Sequence, residues 1–335
     1  EITARLVGSE MCIRDRYKTL EQKKQIILFL NRRGFSTFIS CRSCGYVFKC
    51  PECDVSMTYH KNGYLICHYC GRAEKVKKEC PKCNSRYVKF FGAGTERVEQ
   101  EVKKYFPKAR VLRMDVDTTR YKNAHESIYN SFKNKEADIL IGTQMVSKGL
   151  DFKDVTLVGV LAADMSLNMP DYRSAERTYQ IITQVSGRAG RGEDEGKVIV
   201  QSYTPNHYSL EYAKNENYIN LFKEEIRIRQ LMGNPPFGKI LLINCVSKFE
   251  DKLKRFMYNL EGSLKELILD EEITIYGPVP CIITKLKDNY RWQIILKGKL
   301  NDDFNEKVKD TLYQLNKSVY NEIRVSIDIN PNSMT

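Results

Sequence analysis

The chain has 335 residues, of which 42% are hydrophobic, and a formal charge of +12 at pH 7. That length allows two ordinary domains and a small insert, and the apolar share implies packed cores rather than disorder. No apolar run reaches membrane-span length and the opening EITARLVGSE is not a secretory signal, so a cytoplasmic location is expected, and the positive charge points to an acidic partner.

In chain order, residues 1–16, ending MCIRDR, show no strand–helix punctuation, and Cys12 is set aside as noise. QIILFL (25–30) is a short apolar run suited to a buried parallel strand, and Asn31, Arg32, Arg33 and Gly34 follow it. Eight cysteines then arrive as four Cys-x-x-Cys pairs: Cys41/Cys44, Cys50/Cys53, Cys67/Cys70 and Cys80/Cys83. In a cytosolic chain this pattern reads as zinc rather than disulfides, because a tight turn aims both sulfurs of a pair at one tetrahedral ion.

Eight sulfurs imply two zinc ions, with three ways to combine the pairs. Sequential pairing is cramped and crossed pairing entangles the sites. Nested pairing puts Cys50, Cys53, Cys67 and Cys70 on one zinc, across the spacer DVSMTYHKNGYLI, and Cys41, Cys44, Cys80 and Cys83 on the other. The spacer reads as a hairpin, with Val55, Met57 and Tyr59 alternating before Asn62-Gly63. Nesting also brings residue 41 close to residue 83, as an insertion into a host domain requires. A segment this short needs metal to fold, and with every position filled by sulfur the zinc is structural. His60 and His68 are read as surface residues. Lys75, Lys77 and Lys78 either offset the negative metal centres or contact nucleic acid.

Beyond the cysteines the runs YVKFF (87–91), VLRMD (111–115), ADILIG (137–142), VTLVGVL (155–161) and KVIVQSY (197–203) alternate with helical stretches, which predicts a doubly wound parallel sheet. Ligand-facing residues should follow the strands. After ADILIG come Thr143, Gln144, Lys148, Gly149 and Asp151; before the last strand come Gln184, Gly187, Arg188, Gly190 and Arg191. Arg188 and Arg191, three apart, are expected to share a helix face and form a fork for phosphate oxygens. GAGTERVE (92–99) lacks the lysine of a phosphate loop, so Thr95 is read as a helix N-cap, with Gly92 and Gly94 shaping the turn. Residues 204–335 read as a separate α+β region with helices over 208–232, 250–269 and 302–321 and strands such as KILLINCV, WQIIL and RVSIDI. GNPPFGK (233–239) is a rigid loop. Trp292, beside Arg291 and Tyr290, is either a base-stacking platform or core, and Cys245 and Cys281 read as buried thiols.

FLNRRG, TQMVSKGLDF and QVSGRAGRG resemble motifs IV, V and VI of superfamily 2 helicases. Together with the eight-cysteine insert, GAGTERVE and PDYRSAERTYQ (170–180), they resemble the primosomal protein N′ family of replication-restart helicases from about residue 20 onward. The resemblance implies a RecA-like second helicase lobe over 17–40 and 84–203, a double zinc-ribbon module over 41–83, and an α+β C-terminal domain over 204–335. It leaves 1–16 unmatched, and these residues are read as a junction foreign to the gene. It implies that Arg188 and Arg191 are arginine fingers for the γ-phosphate of ATP, with Gln184 coupling nucleotide state to the motor. Gly149 and Asp151 would approach the nucleotide, and Asn31, Arg32, Thr143, Gln144 and Lys148 the DNA.

The resemblance further implies a bacterial, nucleoid-associated 3′–5′ DNA helicase that uses ATP with Mg²⁺ at stalled or repaired forks and initiates primosome assembly. Forked or single-stranded DNA, primosome and helicase-loading proteins and single-stranded DNA-binding protein would be its partners, and it would act as a monomer. Neither a Walker A nor a DExH motif occurs in the sequence. Both belong to a first lobe, so the chain is expected to be the C-terminal part of a longer protein and inactive alone. The contrasting expectation is a non-catalytic zinc-ribbon adaptor on a degenerate lobe.

Overall fold

After Gln25, QIILFL is apolar at every position because both faces of its strand are covered. In the computed structural model, which describes residues 2–5, 10–31, 38–53, 55–60, 63–90, 94–119, 121, 123–147, 151–192, 194–268, 272–317 and 321–334, all six residues of the run are buried. Ile27 and Phe29 join one hydrophobic cluster, and Ile26, Leu28 and Leu30 join another on the opposite face. This is the pattern of a central strand in a sheet with helices on both sides.

The chain opens with β1 (Ile2–Arg5), α1 (Glu10–Glu21) and β2 (Gln25–Leu30). The cysteine-rich segment follows, with β3 (Ile39–Cys41), β4 (Thr58–Tyr59), β5 (Tyr64–Ile66), β6 (Ala73–Lys75) and β7 (Val88–Phe90). The α/β pattern then resumes with α2 (Thr95–Tyr105), β8 (Val111–Met114), α3 (Ala124–Lys133), β9 (Ile139–Gly142), α4 (Gln144–Ser147), β10 (Val155–Leu161), α5 (Asp164–Leu167), α6 (Ser174–Ser186) and β11 (Lys197–Gln201). The sheet order is β1-β11-β10-β2-β9-β8, and every neighbouring pair is parallel. Tyr179, Ile182 and Val185 of α6 pack on one face, and Val102 of α2 on the other.

Three sequence expectations need correction here. The run YVKFF is not a strand of the parallel sheet: β7 pairs antiparallel with β3, Ile39 opposite Phe90 and Cys41 opposite Val88. These two strands form the stalk on which the insert leaves and re-enters the lobe. Residues 1–16 do carry strand–helix punctuation, since β1 adds to the sheet beside β11 and α1 begins at Glu10. An edge strand of four residues is too short to announce itself by periodicity. Thr95 opens α2 but does not cap it. The N-cap is Gly94, and the Thr95 hydroxyl donates to Asp115 Oδ2 at 2.5 Å instead.

The C-terminal region holds α7 (Tyr208–Lys214), α8 (Tyr218–Leu231), β12 (Lys239–Ser247), α9 (Glu250–Leu267), β13 (Ile273–Leu286), β14 (Asn289–Gly298), α10 (Asp302–Asn316) and β15 (Ile323–Ile329). The helix expected over 208–232 is two helices, broken where Glu216 takes φ of +52° and Asn217 caps α8 by accepting from the Asn220 N–H. The sheet order is β13-β14-β12-β15, antiparallel throughout. Leu241, Ile243 and Cys245 of β12 face α9 and α10, with Trp292 in the same cluster. Ile240 and Leu242, on the opposite face, pack with Phe48, Met57, Leu65 and Tyr69 of the cysteine-rich segment. The insert thus replaces a second helical layer.

Candidate functional site

The four Cys-x-x-Cys pairs form local turns before they form sites. The Gly45 N–H donates to Cys41 O at 3.0 Å, Gly71 to Cys67 O at 2.9 Å and Asn84 to Cys80 O at 2.9 Å. Gly71 sits at φ +81°, and a Cβ there would lie 2.9 Å from Val279 of the C-terminal sheet, so both handedness and contact select glycine. The amides of Tyr69 and Lys82 point at Cys67 Sγ and Cys80 Sγ, each at 3.4 Å. Donors aimed at sulfur favour the thiolate, the ligand form.

The turns converge in the nested order. Cys41, Cys44, Cys80 and Cys83 form one cluster and Cys50, Cys53, Cys67 and Cys70 the other, with all sulfurs of a cluster within 4.8 Å of one another. The separations Cys41–Cys83, Cys44–Cys80 and Cys50–Cys70 are 3.6 Å. A tetrahedral zinc with bonds of about 2.3 Å needs sulfurs about 3.8 Å apart, so two four-sulfur zinc sites fit. Cys67 is drawn down to about 5, first by its hydrogen bond with Cys53 and against the effect of burial.

His68 is not a surface residue: it is 1% exposed, because the C-terminal sheet lies over it. Its Nδ1 lies 2.7 Å from the Pro280 carbonyl, which can only accept, so Nδ1 donates and Nε2 accepts from His60 Nε2 at 3.2 Å. Burial pushes His68 down to about 4 and lowers the half-buried His60. The Gln293 amide of β14 donates to the His68 carbonyl at 2.8 Å, adding a second tie between the inner zinc loop and the C-terminal sheet. Among the described residues no other group of three or more metal-ligating side chains meets the same spacing.

The motif loops separate to two edges of the parallel sheet. At the carboxyl edge, Asn31 is 6% exposed and donates to the Ser166 hydroxyl, and Thr143 is 9% exposed with its N–H on Met114 O at 3.3 Å. Gln144 opens the single turn α4. Arg32, Lys148 and Gly149 lie outside the described residues.

At the amino edge, α6 ends at Ser186, so Arg188 and Arg191 are not on one helix face as expected. They sit on the loop between α6 and β11. Gly187 stops the helix, and the Gly190 N–H reaches over to Val155 O at 3.0 Å with φ of +70°. A Cβ on Gly190 would fall 2.4 Å from the Gly196 N, so this backbone crossing needs glycine. Arg191 donates through Nε to Gly187 O at 2.7 Å and through Nη1 to Asp151 Oδ1 at 3.0 Å. The loop therefore bonds Asp151 to Arg191 and keeps both within electrostatic reach of Arg188. Arg188 is half-buried, and burial first, then the neighbouring Arg191, makes its guanidinium less basic than usual. Gln184 is exposed on the last turn of α6.

The functional meaning of PDYRSAERTYQ was hidden from sequence. Asp171, its side chain fully buried, accepts from Arg177 Nη1 at 2.6 Å and from the Met334 N–H at 3.1 Å. Glu176 accepts from Arg229 of α8 at 2.6 Å, and the Tyr172 ring lies between Arg173 at 5.1 Å and Arg229 at 5.4 Å. The only sequence signal was a dense mix of opposite charges at the start of a helix. Its partners outside the segment, Arg229 and Met334, lie more than fifty residues away.

Three family models match the chain. The "Primosomal protein N C-terminal domain" matches residues 230–332, the "PriA DNA helicase Cys-rich region (CRR) domain" residues 50–75 and the "Helicase conserved C-terminal domain" residues 71–193. Among curated proteins, the "Replication restart protein PriA" of Bacillus subtilis (strain 168) is 45% identical over 323 residues, covering 95% of this chain and 40% of the relative. Its namesake in Synechocystis sp. is 48% identical over 281 residues, covering 82% of this chain and 34% of the relative. That of Borreliella burgdorferi is 39% identical over 314 residues, covering 91% and 46%. The chain thus spans between a third and a half of the length of these relatives.

Proposed function

The chain belongs to the PriA family, and from that premise we propose that it supplies the second lobe, zinc module and C-terminal domain of an ATP-dependent 3′–5′ DNA helicase. The lobe comprises residues 17–40 and 84–203 together with β1 and the start of α1, the zinc module 41–83 and the C-terminal domain the remainder from 204, with α7 packed on the lobe core. The helicase acts in the bacterial cytoplasm at stalled or repaired forks and starts primosome assembly there. Its partners are forked or single-stranded DNA, helicase-loading proteins and single-stranded DNA-binding protein.

The observation that carries this reading is the amino-edge loop, where two guanidiniums and Asp151 meet outside the sheet. In hydrolysis of the γ-phosphate, charge accumulates on the transferred group, and a positioned arginine stabilises it. Arg188 suits that role because it stands half-buried on the same loop as Arg191, where two guanidiniums concentrate positive charge for a phosphate. Arg191 is held by Asp151 and Gly187 O, which fixes the loop beside it. Gln184, one turn earlier on α6, couples nucleotide state to the motor. The phosphate-binding loop and Mg²⁺ ligands belong to a first lobe, so this chain alone turns over no ATP. The zinc ions are structural, their coordination filled by sulfur.

The test is Arg188→Ala in the full-length protein. ATP hydrolysis should fall by about 10³-fold or more while DNA binding is retained. Unchanged turnover refutes the assignment.

A further inference from the structure

α6 runs between two things that the proposed motor must coordinate. Its last turn leads into the loop of Arg188 and Arg191. Its first turn is gripped by the far end of the chain. Arg177 donates to Asp171 and to the Asn332 carbonyl, Asp171 also accepts from the Met334 N–H, and Arg173 Nη1 donates to Asn332 Oδ1 at 2.8 Å. Asn332 and Met334 follow directly on β15, the edge strand of the C-terminal sheet. A neighbouring strand, β12, carries the inner zinc hairpin on its other face.

We propose that α6 is the link through which the C-terminal sheet and the zinc module set the position of the arginine loop, with Asp171, Arg177 and Asn332 as positioning residues at its far end. The proposal rests on the arginine-finger reading given above. Thirteen residues of helix span about 20 Å, and a helix resists bending over so short a distance. Tyr179, Ile182 and Val185 seat its middle and last turn on the lobe core, so it answers a pull on its first turn by a small slide or rotation against the sheet. The contacts at the first turn suit force transmission: one buried carboxylate oxygen joins a helix guanidinium to a backbone amide of the C-terminal segment. The same turn is held from a second direction by the Arg229–Glu176 pair. Load on the zinc module from a DNA strand would reach the first turn through the sheet it shares with Asn332, and the finger loop through the helix.

A purely adhesive clasp would do no more than hold two parts of the chain together, and the experiment separates the two roles. In the full-length protein, Arg173→Gln with Asn332→Ala removes the exposed rim of the clasp while sparing the buried carboxylate. Coupling between sites commonly amounts to about fivefold or more. DNA-stimulated ATP turnover should therefore fall about fivefold, with the DNA-free rate, the KM for ATP and the thermal midpoint unchanged. Amide exchange over residues 183–190 should quicken. Asp171→Asn, which keeps the shape and weakens the charged bond, should lower the ratio of DNA-stimulated to DNA-free turnover in the same way, with a fall in the thermal midpoint besides because the carboxylate is buried.

An unchanged ratio of DNA-stimulated to DNA-free turnover in both variants overturns the link. So does a parallel loss of both rates together with the thermal midpoint, the signature of adhesion alone. Arg188→Ala distinguishes the two levels. If it abolishes turnover while the clasp variants keep full stimulation, only the link is refuted. If it leaves turnover intact, the finger reading fails and the link falls with it.

Discussion

Leu65→Ala tests how the zinc module is held. Leu65 lies at the centre of β5, 1% exposed, two residues before the zinc ligand Cys67, and it packs in the cluster shared with Ile240, Leu242 and Ile295 of the C-terminal sheet. Metal binding alone could in principle hold so small a unit, in which case truncating Leu65 would change little. The burial argues otherwise. Removing about three methylene equivalents at about 0.8 kcal/mol each, with an added cavity cost, gives a loss of about 3 kcal/mol. At about 1.4 kcal/mol per tenfold, that is roughly a 150-fold rise in the local opening equilibrium. Hydrogen–deuterium exchange reads it directly. The Cys67 amide, bonded to Arg72 O at 2.9 Å, should exchange faster by about two orders of magnitude, while the Ile26 amide of the lobe, bonded to Asp138 O at 2.9 Å, stays as it was. Metal analysis should still return two zinc ions per chain. Acceleration below about fivefold with both metals retained would mean that zinc alone fixes the hairpin, and the packing argument would be wrong.

Three further changes probe other parts of the molecule. Gly190→Ala drives a Cβ to within 2.4 Å of the Gly196 N at φ of +70°, so a loss of about 1–3 kcal/mol is expected in urea titration; an unchanged midpoint would show that the loop has room. Gln25→Leu strips the Phe132 and Ala137 carbonyls of the donor that serves them at 2.7 and 2.8 Å, costing about 2–4 kcal/mol for two buried acceptors; a midpoint within error of the native one would contradict this. Burial first, then Lys49, lowers His207 from 6.5 to about 4. The unfolded chain therefore takes up its proton first. The stability this residue contributes is complete above pH 6.5 and is lost as pH falls toward about 4. His207→Asn, which preserves a capping side chain for α7, should flatten the fall in thermal midpoint over that interval, and an unaltered slope would refute the assignment.

Those parts of the molecule governed by local spacing were legible in advance. The nested cysteine pairs followed from the distances between Cys-x-x-Cys turns, and the parallel sheet from runs such as QIILFL that are apolar on both faces. Features that depend on what a segment meets in space were not. His68 is buried only because β14 and Pro280 lie across it, contacts separated by more than two hundred residues. The Arg188–Arg191 spacing matched a helix, yet Gly187 ends α6 first, and the crossing of Gly190 with Gly196 is a tertiary requirement that overrides the local period. The run YVKFF has strand composition, but composition does not name a strand's partner, and its partner is β3. Asn31 and Thr143 were expected at the DNA; both are buried in hydrogen-bonded positions, while Arg32 and Lys148 lie outside the described residues.

The two-faced character of β12 also bears on how this architecture can change. A sheet whose second face is covered by a metal module presents bare Ile240, Leu242 and Ile295 to water as soon as that module is excised. Exposed strands of that composition adhere to one another. The insert, although it enters and leaves through the narrow β3–β7 stalk like a removable cassette, is therefore captive. A lineage could lose it only by recolouring the sheet beneath with polar residues at the same time, and a domain-swapping engineer would face the same paired demand.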